Sequence, residues 1–232
     1  SLMGNKGSAT LELALVPTFG TQWLLPRMGQ FLMQDPNVTI NMTNRTRPFL
    51  FADTEFDAAI YFGDGEWSGT QVHFLMNESP VPVCSPQLLG GQTALTPEQI
   101  SQLPLLQQST RPYAWRQWFD SCDMRIEHDL NGTRLELFSM LAQAAMHGMG
   151  VALIPPFLIS NELDSGRLVI ANPHSFDSSN AYYLVIPERK AESATLQGFR
   201  DWVISEAEAY RQEPHQLGTL GTSSTTGHDR TR

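Results

Sequence analysis

The segment Leu11–Leu32, LELALVPTFGTQWLLPRMGQFL, carries the patterns of a strand, a tight turn and a helix in direct succession. Leucine alternates with other residues over 11–15, which is the pattern of a strand with one buried face. From Leu24 onward apolar residues recur at intervals of three and four, as in an amphipathic helix. The turn leaves backbone N–H groups at the start of the helix, where a carboxylate or phosphate binds favourably. Strand–turn–helix corners are common, so the turn Pro17–Thr21 is a candidate ligand-binding corner, with an ordinary helix cap that binds no ligand as the alternative.

Strands and helices alternate along most of the remaining chain. Further strands are predicted at 38–42, 58–62, 72–76, 81–85, 103–108, 125–130, 151–154, 168–170 and 182–186. Helices are predicted at 24–32, 49–56, 114–121, 137–145, 155–163 and 194–210, with a brief one beginning near Thr96. This alternation predicts an α/β fold with mostly parallel sheets. Ligands in such sheets bind beyond the carboxyl ends of the strands, which is where Thr18 lies.

The composition is that of a globular protein with an acidic surface. Of the 232 residues, 41% are hydrophobic and 17% are charged, which fits one or two buried cores better than a disordered chain. Acidic residues outnumber basic ones by 24 to 15, which gives a formal net charge of −9. Because such a surface repels a phosphate backbone, this chain by itself is not expected to bind nucleic acid. One large domain and two lobes both fit this length.

The sequence lacks the motifs of the common catalytic and metal sites. It contains no G-x-S-x-G, H-E-x-x-H or C-x-x-C, no glycine-rich phosphate loop, and its six histidines show no ligand spacing. Cys84 and Cys122 lie far apart in the sequence. We expect both to be small buried apolar side chains, with a disulfide between them as the alternative. We therefore predict a binding protein with no catalytic residue, no metal and no cofactor.

The two ends of the sequence differ from its middle in composition. Residues 1–8 have the character of a linker or cloning remnant, and 213–232, rich in small, polar and charged residues, are predicted to be a flexible tail. No run of 18 apolar residues occurs, so no membrane contact is expected.

Several motifs together resemble the effector-binding domain of LysR-type transcriptional regulators. They are the opening segment, FDAAIYFGDGEW at 56–67, LELFSMLAQAAMHGMGVALIPPFLISNELDSGRLV at 135–169, AYYLVIPE at 181–188 and FRDWVISE at 199–206. The resemblance covers Ala9 to Gln212 in order, and it is strongest to the subgroup that contains the glycine-cleavage and β-lactamase-gene activators.

The resemblance implies two Rossmann-like α/β lobes joined by two crossover strands, similar to type 2 periplasmic binding proteins. The crossings are expected near Val81–Cys84 and Tyr182–Ile186. Lobe I would then comprise 9–83 and 185–212, and lobe II would comprise 84–184. A small-molecule effector would lie in the cleft between them. The residues that the resemblance assigns to this site are Thr18, Phe19, Gly20, Tyr61, Phe62, Phe138, Ser139 and Tyr182.

The family's biology supplies further expectations. The domain would form a homodimer, or a tetramer in the full-length regulator, in the cytoplasm, and it would reach DNA only through an amino-terminal winged helix-turn-helix that this sequence lacks. Leu50 stands where the β-lactamase-gene activators carry an acidic residue, which disfavours a muropeptide-like effector and suggests a smaller or less polar one. Tyr182 has the alternative role of a hinge cap, and Ser139 that of a helix N-cap.

Two other classes of protein share this architecture. An extracytoplasmic solute-binding protein would carry a signal peptide or a lipid-anchor cysteine upstream of Ser1. An enzyme on a related two-lobed fold would need a nucleophile or an acid–base pair in the cleft.

Overall fold

The protein, described here by a computed structural model over residues 8–214, alternates strands and helices along its length. The strands are β1 (Ala9–Leu15), β2 (Val38–Asn44), β3 (Ala58–Gly63), β4 (Thr70–Asn77), β5 (Val81–Cys84), β6 (Gln107–Gln108), β7 (Arg134–Leu135), β8 (Ala152–Ile154), β9 (Val169–Ile170) and β10 (Ala181–Pro187). The α-helices are α1 (Leu25–Gln34), α2 (Pro97–Ser101), α3 (Ala114–Ser121), α4 (Phe138–Met146), α5 (Ser160–Asp164) and α6 (Ala194–Gln212). The predicted flexibility of the tail concerns mainly residues outside this range, as does most of the predicted remnant at 1–8.

Two main sheets define two lobes. The larger sheet has the strand order β2-β1-β3-β10-β4, and the smaller has the order β8-β5-β9. The chain crosses between them twice, at 78–80 after β4 and at 171–180 before β10. The predicted architecture, two α/β lobes joined by two crossovers, is confirmed.

Strand pairing determines which residues belong to each lobe. All of β5 pairs within the smaller sheet, and all of β10 pairs within the larger one. By this criterion Val81–Val83 lie in lobe II and Ala181–Leu184 in lobe I, a few residues from the boundaries that the sequence suggested. The crossings are the short segments immediately before these strands.

The prediction of mostly parallel sheets is wrong. In the larger sheet β1 pairs parallel with β2 and β3, whereas β10 runs in the opposite direction and pairs antiparallel with both β3 and β4. The smaller sheet is antiparallel throughout. The reason is that β10 returns from lobe II and enters the larger sheet from the opposite end, a long-range event that local apolar patterns do not report.

The predicted strand at 125–130 is also wrong. The structure has turns there, and the strand next to β6 is β7 instead. The carboxylate of Asp129 accepts two hydrogen bonds from Arg116 at 3.0 and 3.1 Å, and its carbonyl accepts one from Gln107 at 3.0 Å. The polar side chains in this segment are therefore held by ion pairing and hydrogen bonding, not by strand pairing.

Three predicted elements are shorter or broken. The helix at 49–56 is a single 3₁₀ turn at Phe51–Asp53, and the strand at 103–108 is reduced to β6. The helix at 155–163 is divided into a 3₁₀ turn, Pro156–Leu158, and α5.

The opening segment folds as a strand, a sharp turn and a helix. Residues Phe19–Leu24 form a π-helical stretch that leads into α1. Thr18 has φ 71° and ψ −52°, a conformation that is strained for a residue with a side chain. A Cβ at Gly20 would lie 2.9 Å from Leu15 Cδ1, so a larger residue here would require the Leu15 side chain to move.

The apolar core continues from one lobe into the other. One cluster joins Ile60 of the larger sheet to Ile154 of the smaller, and a second, within lobe II, is built around Trp115 and Trp118. Both cysteines are free thiols: Cys84 is buried and Cys122 is half-buried. Within the described residues no helix is long and apolar enough to span a membrane.

Candidate ligand-binding cleft

A cavity lies between the lobes at the carboxyl ends of β1 and β3. Lobe I contributes Ala14, Val16, Pro17, the loop 45–49, residues 59–62 and Trp67. Lobe II contributes Gln108, Thr110, Arg111, Glu136, Leu137 and Phe138. The cavity has a volume of about 70 Å³, enough for several waters or one small molecule. Its position agrees with the rule that α/β sheets bind ligands beyond their carboxyl ends.

Aromatic rings form the lobe I wall of the cavity. Tyr61 meets Trp67 edge to face with ring centroids 4.8 Å apart, and Phe49 packs against the same indole at 5.4 Å. Phe62 faces Arg111, whose Cζ lies 3.8 Å from the ring centroid. Such interlocked rings hold the wall in one shape, because each ring restricts the rotation of its neighbours.

A buried ion pair connects the cavity to the hinge. Arg111 donates to both carboxylate oxygens of Glu78, at 2.8 and 3.0 Å, and Tyr182 donates its hydroxyl to the same carboxylate at 2.5 Å. Glu78 is in the first crossover, Tyr182 follows the second, and Arg111 comes from lobe II. One carboxylate therefore joins both crossovers to the lobe II wall of the cavity.

Protonation states in this group are fixed near neutral pH. Burial and the neighbouring Glu78 charge raise the pKa of Tyr182 well above its usual value, so its hydroxyl remains a donor. Burial acts to lower the pKa of Arg111, but the charge and hydrogen bonds of Glu78 outweigh it and raise the pKa further. Arg111 thus remains a charged guanidinium and Tyr182 remains a protonated hydroxyl, and both donate hydrogen bonds to Glu78.

A second contact joins the lobes at the mouth of the cleft. The backbone N–H of Ser139, at the start of α4, donates to the hydroxyl of Thr18 at 3.2 Å. Thr18 is buried, and the N–H groups of Gly20 and Gln22 donate to the carbonyls of Val16 and Thr18. The Thr18 hydroxyl and these two N–H groups are therefore bonded within the protein.

The structure brings three of the eight predicted site residues to the cavity wall. These are Tyr61, Phe62 and Phe138. The other five lie outside the lining: Thr18 contacts Ser139, Gly20 packs on β1, and Phe19 stacks on Tyr182 at 4.8 Å. Ligand contact by all eight stays a prediction.

Sequence patterns did not predict the charged residues of the cavity. Arg45 and Arg47 follow the carboxyl end of β2, so the strand-end rule applied to a second parallel strand would have found them. Glu136 and Arg111 lie on lobe II segments that only the folded chain brings opposite β1. Leu50, which suggested a smaller or less polar effector, is 67% exposed and does not line the cavity.

The chain matches a known protein family over most of its length. Residues 4–208 match the LysR substrate binding domain. The glycine cleavage system transcriptional activator of Escherichia coli (strain K12) is 32% identical over 216 residues, which cover 91% of this chain and 70% of that protein. The HTH-type transcriptional regulator PerR of the same strain is 32% identical over 201 residues, covering 86% and 67%.

Solved effector domains share the fold. The effector domain of the transcriptional regulator AmpR of Pseudomonas aeruginosa has a TM-score of 0.79 at 24% identity, covering 87% of this chain and 96% of that one. The regulatory domain of CrgA from Neisseria meningitidis has a TM-score of 0.72 at 17% identity, covering 86% and 99%. The relatives are regulators of transcription, which favours that interpretation over a solute-binding protein. The chain belongs to the LysR substrate-binding domain family and is the effector-binding domain of a LysR-type transcriptional regulator.

Proposed function

We propose that this domain captures a small-molecule effector in the cleft cavity without converting it. The observation that carries the proposal is that both lobes line one cavity, with Tyr61 and Arg47 on one wall and Thr110 and Glu136 on the other. A molecule that contacts both walls binds one arrangement of the lobes more tightly than any other. It therefore shifts the population toward that arrangement.

The ion pair of Glu78 and Arg111 is positioned to transmit this shift. Arg111 lines the cavity, and Glu78 lies in the crossover about which the lobes would rotate. A change in lobe angle would alter the spacing of the DNA-binding segments attached to a dimer. The same proposal places the protein in the cytoplasm, with the DNA that it regulates.

The proposal includes a homodimer, and a tetramer in the full-length regulator. Helix α1 supports it, because Leu25, Leu32 and Met33 are exposed, Met33 to 84%. Apolar side chains on one exposed helix are typical of a surface that a second subunit covers. Sedimentation of the domain with Met33→Lys should show a shift toward monomer if α1 is in the interface, and no shift would contradict this assignment.

A thermal-shift screen of metabolites, amino acids and aromatic acids tests the capture of a ligand. A ligand present at a hundred times its Kd stabilises the native state by about 2.7 kcal/mol. Thr46→Trp places an indole on the wall of a cavity of about 70 Å³, and the matched control is Thr39→Trp on the exposed edge strand β2. We expect the ligand-induced shift to disappear in the first variant and to persist in the second.

The result that would overturn the proposal is equally specific. If Thr46→Trp keeps the full ligand-induced shift, the ligand binds outside the cleft cavity. If the DNA footprint of the full-length regulator does not respond to a ligand that stabilises this domain, capture is not transmitted.

A further inference from the structure

The cleft cavity carries opposite charges on its two walls. Arg45 and Arg47 line it from lobe I, and Glu136 lines it from lobe II. Within residues 8–214 the ion pairs are Glu78–Arg111, Arg116–Asp129, Asp57–Lys190 and Arg200–Asp201. None of the three charged groups that face the cavity from opposite lobes is therefore neutralised by a partner in the described part of the chain.

Arg45 is held at the cavity without using its side-chain donors. The backbone N–H of Arg45 donates to the carbonyl of Leu15 at 2.8 Å, and its guanidinium lies over the rings of Phe49 and Phe56 at 5.6 and 5.4 Å. Stacking on a ring face leaves the N–H groups at the edge of the guanidinium free to bind an anion.

The other cationic features of the cleft are already occupied. Arg111 uses Nε and Nη2 on Glu78 and Nη1 on the carbonyl and hydroxyl of Thr110. At the start of α4 the N–H of Ser139 donates to Thr18. Arg45 and Arg47 are therefore the lining arginines whose side-chain donors remain available to an anion.

Glu136 offers the complementary group on the lobe II wall. Its carbonyl accepts hydrogen bonds from Gln108 Nε2 at 3.3 Å and Thr110 Oγ1 at 3.4 Å, which fix the backbone beside the cavity. Its carboxylate makes no hydrogen bond or ion pair with any described residue. A carboxylate on a fixed backbone is a good partner for an ammonium group.

We propose that the effector is a small zwitterion, an amino-acid-like molecule whose carboxylate is bound by Arg45 and Arg47 and whose ammonium group is bound by Glu136. This inference rests on the proposed function, because it assigns the ligand class of the same cavity. The two ends of such a ligand engage different lobes, so both charges together favour the closed arrangement. A molecule with only one of the charges engages one lobe and provides little of that coupling.

The test compares matched probes that differ in one charge. The zwitterions are L-alanine, glycine, β-alanine, γ-aminobutyrate and 5-aminopentanoate, which vary the separation of the charges, and the single-charge controls are propionate and ethylamine. Melting temperatures and calorimetric affinities are measured on the full chain. We expect at least one zwitterion to raise the melting temperature, and both single-charge controls to bind about tenfold to a hundredfold more weakly.

Variants separate charge recognition from damage to the fold. Arg47→Gln and Glu136→Gln remove one charge from each wall, and Arg125→Gln and Glu208→Gln make the same changes at exposed sites outside the cavity. We expect Arg47→Gln to weaken the zwitterion at least tenfold, Glu136→Gln to abolish its preference over the matching carboxylate, and both controls to keep native affinity.

The outcomes distinguish this inference from the proposed function. The zwitterion is excluded if propionate stabilises the protein as well as the amino acids do, if none of the amino acids binds, or if Glu136→Gln keeps the preference. If a compound without paired opposite charges then produces a shift that Thr46→Trp removes, the cleft remains the effector site and only the ligand class is wrong.

Discussion

The buried carboxylate of Glu78 leads to a quantitative prediction about the hinge. Its side chain is 3% exposed, and its partner Arg111 is 17% exposed. Arg111→Met removes the guanidinium, which lies over the Phe62 ring, but keeps most of the apolar stem. The carboxylate would then be left with Tyr182 as its remaining side-chain donor.

The magnitude follows from the cost of an uncompensated buried charge. Removing one partner of a buried pair typically costs about 3–5 kcal/mol, and the partial exposure of Arg111 favours the lower end, about 3 kcal/mol. For a domain of this size that corresponds to a fall in Tm of about 6–12 °C. The double variant Glu78→Gln, Arg111→Met removes both charges. Its loss in free energy of unfolding should therefore be about 2 kcal/mol smaller than the sum of the losses of the two single variants.

Urea unfolding of the wild type, both single variants and the double variant measures this coupling. Arg125→Met, at an exposed arginine, is the control and should stay within about 0.5 kcal/mol of the wild type. If Arg111→Met is as stable as that control, or if the single effects simply add, the hinge does not depend on this ion pair.

Three further predictions concern single groups. Because the pKa of Tyr182 is raised, the stability that it contributes should fall as pH rises above about 10, and Tyr182→Phe should flatten the unfolding profile there. Burial raises the pKa of the Cys84 thiol to about 11, so a thiol reagent at pH 8 should modify Cys122 first, and equal rates would contradict this burial. In Gly132→Ala the new Cβ would lie 2.0 Å from the Leu105 carbonyl oxygen, so the free energy of unfolding in urea should fall by about 2 kcal/mol or more. Gly29→Ala on α1 is the control and should raise the free energy of unfolding by about 0.5–1 kcal/mol. Equal effects of the two changes would refute the close contact at Gly132.

Local sequence patterns were sufficient to predict elements whose structure depends on residues close together in the chain. The alternation over β1 and the apolar periodicity of α1 predicted a strand and a helix that the structure contains, because pleating and helical pitch place side chains at fixed intervals. Motif order along the chain identified the family and hence the two lobes. The resemblance also assigned Tyr61, Phe62 and Phe138 to the ligand site, and in the structure these three residues line one cavity.

Patterns failed where distant segments determine the outcome. The segment 125–130, predicted as a strand, is irregular and ends in a turn, and Asp129, one of the polar residues that alternate there, pairs with Arg116 from α3. Thr18 and Tyr182 have the polarity expected of ligand contacts, yet their hydroxyls are bonded to Ser139 and Glu78.

The sequence by itself determined the α/β class, the family and the strand end at which a ligand is expected, since these depend on short-range periodicity and on motifs in order. Only the tertiary structure decided which polar groups remain available. Hydrogen bonding between the lobes uses Thr18, Ser139, Arg111 and Tyr182, and it leaves Arg45, Arg47 and Glu136 facing the cavity. A polar side chain is available to a ligand only if no partner from elsewhere in the chain has satisfied it, and that depends on contacts between residues far apart in sequence.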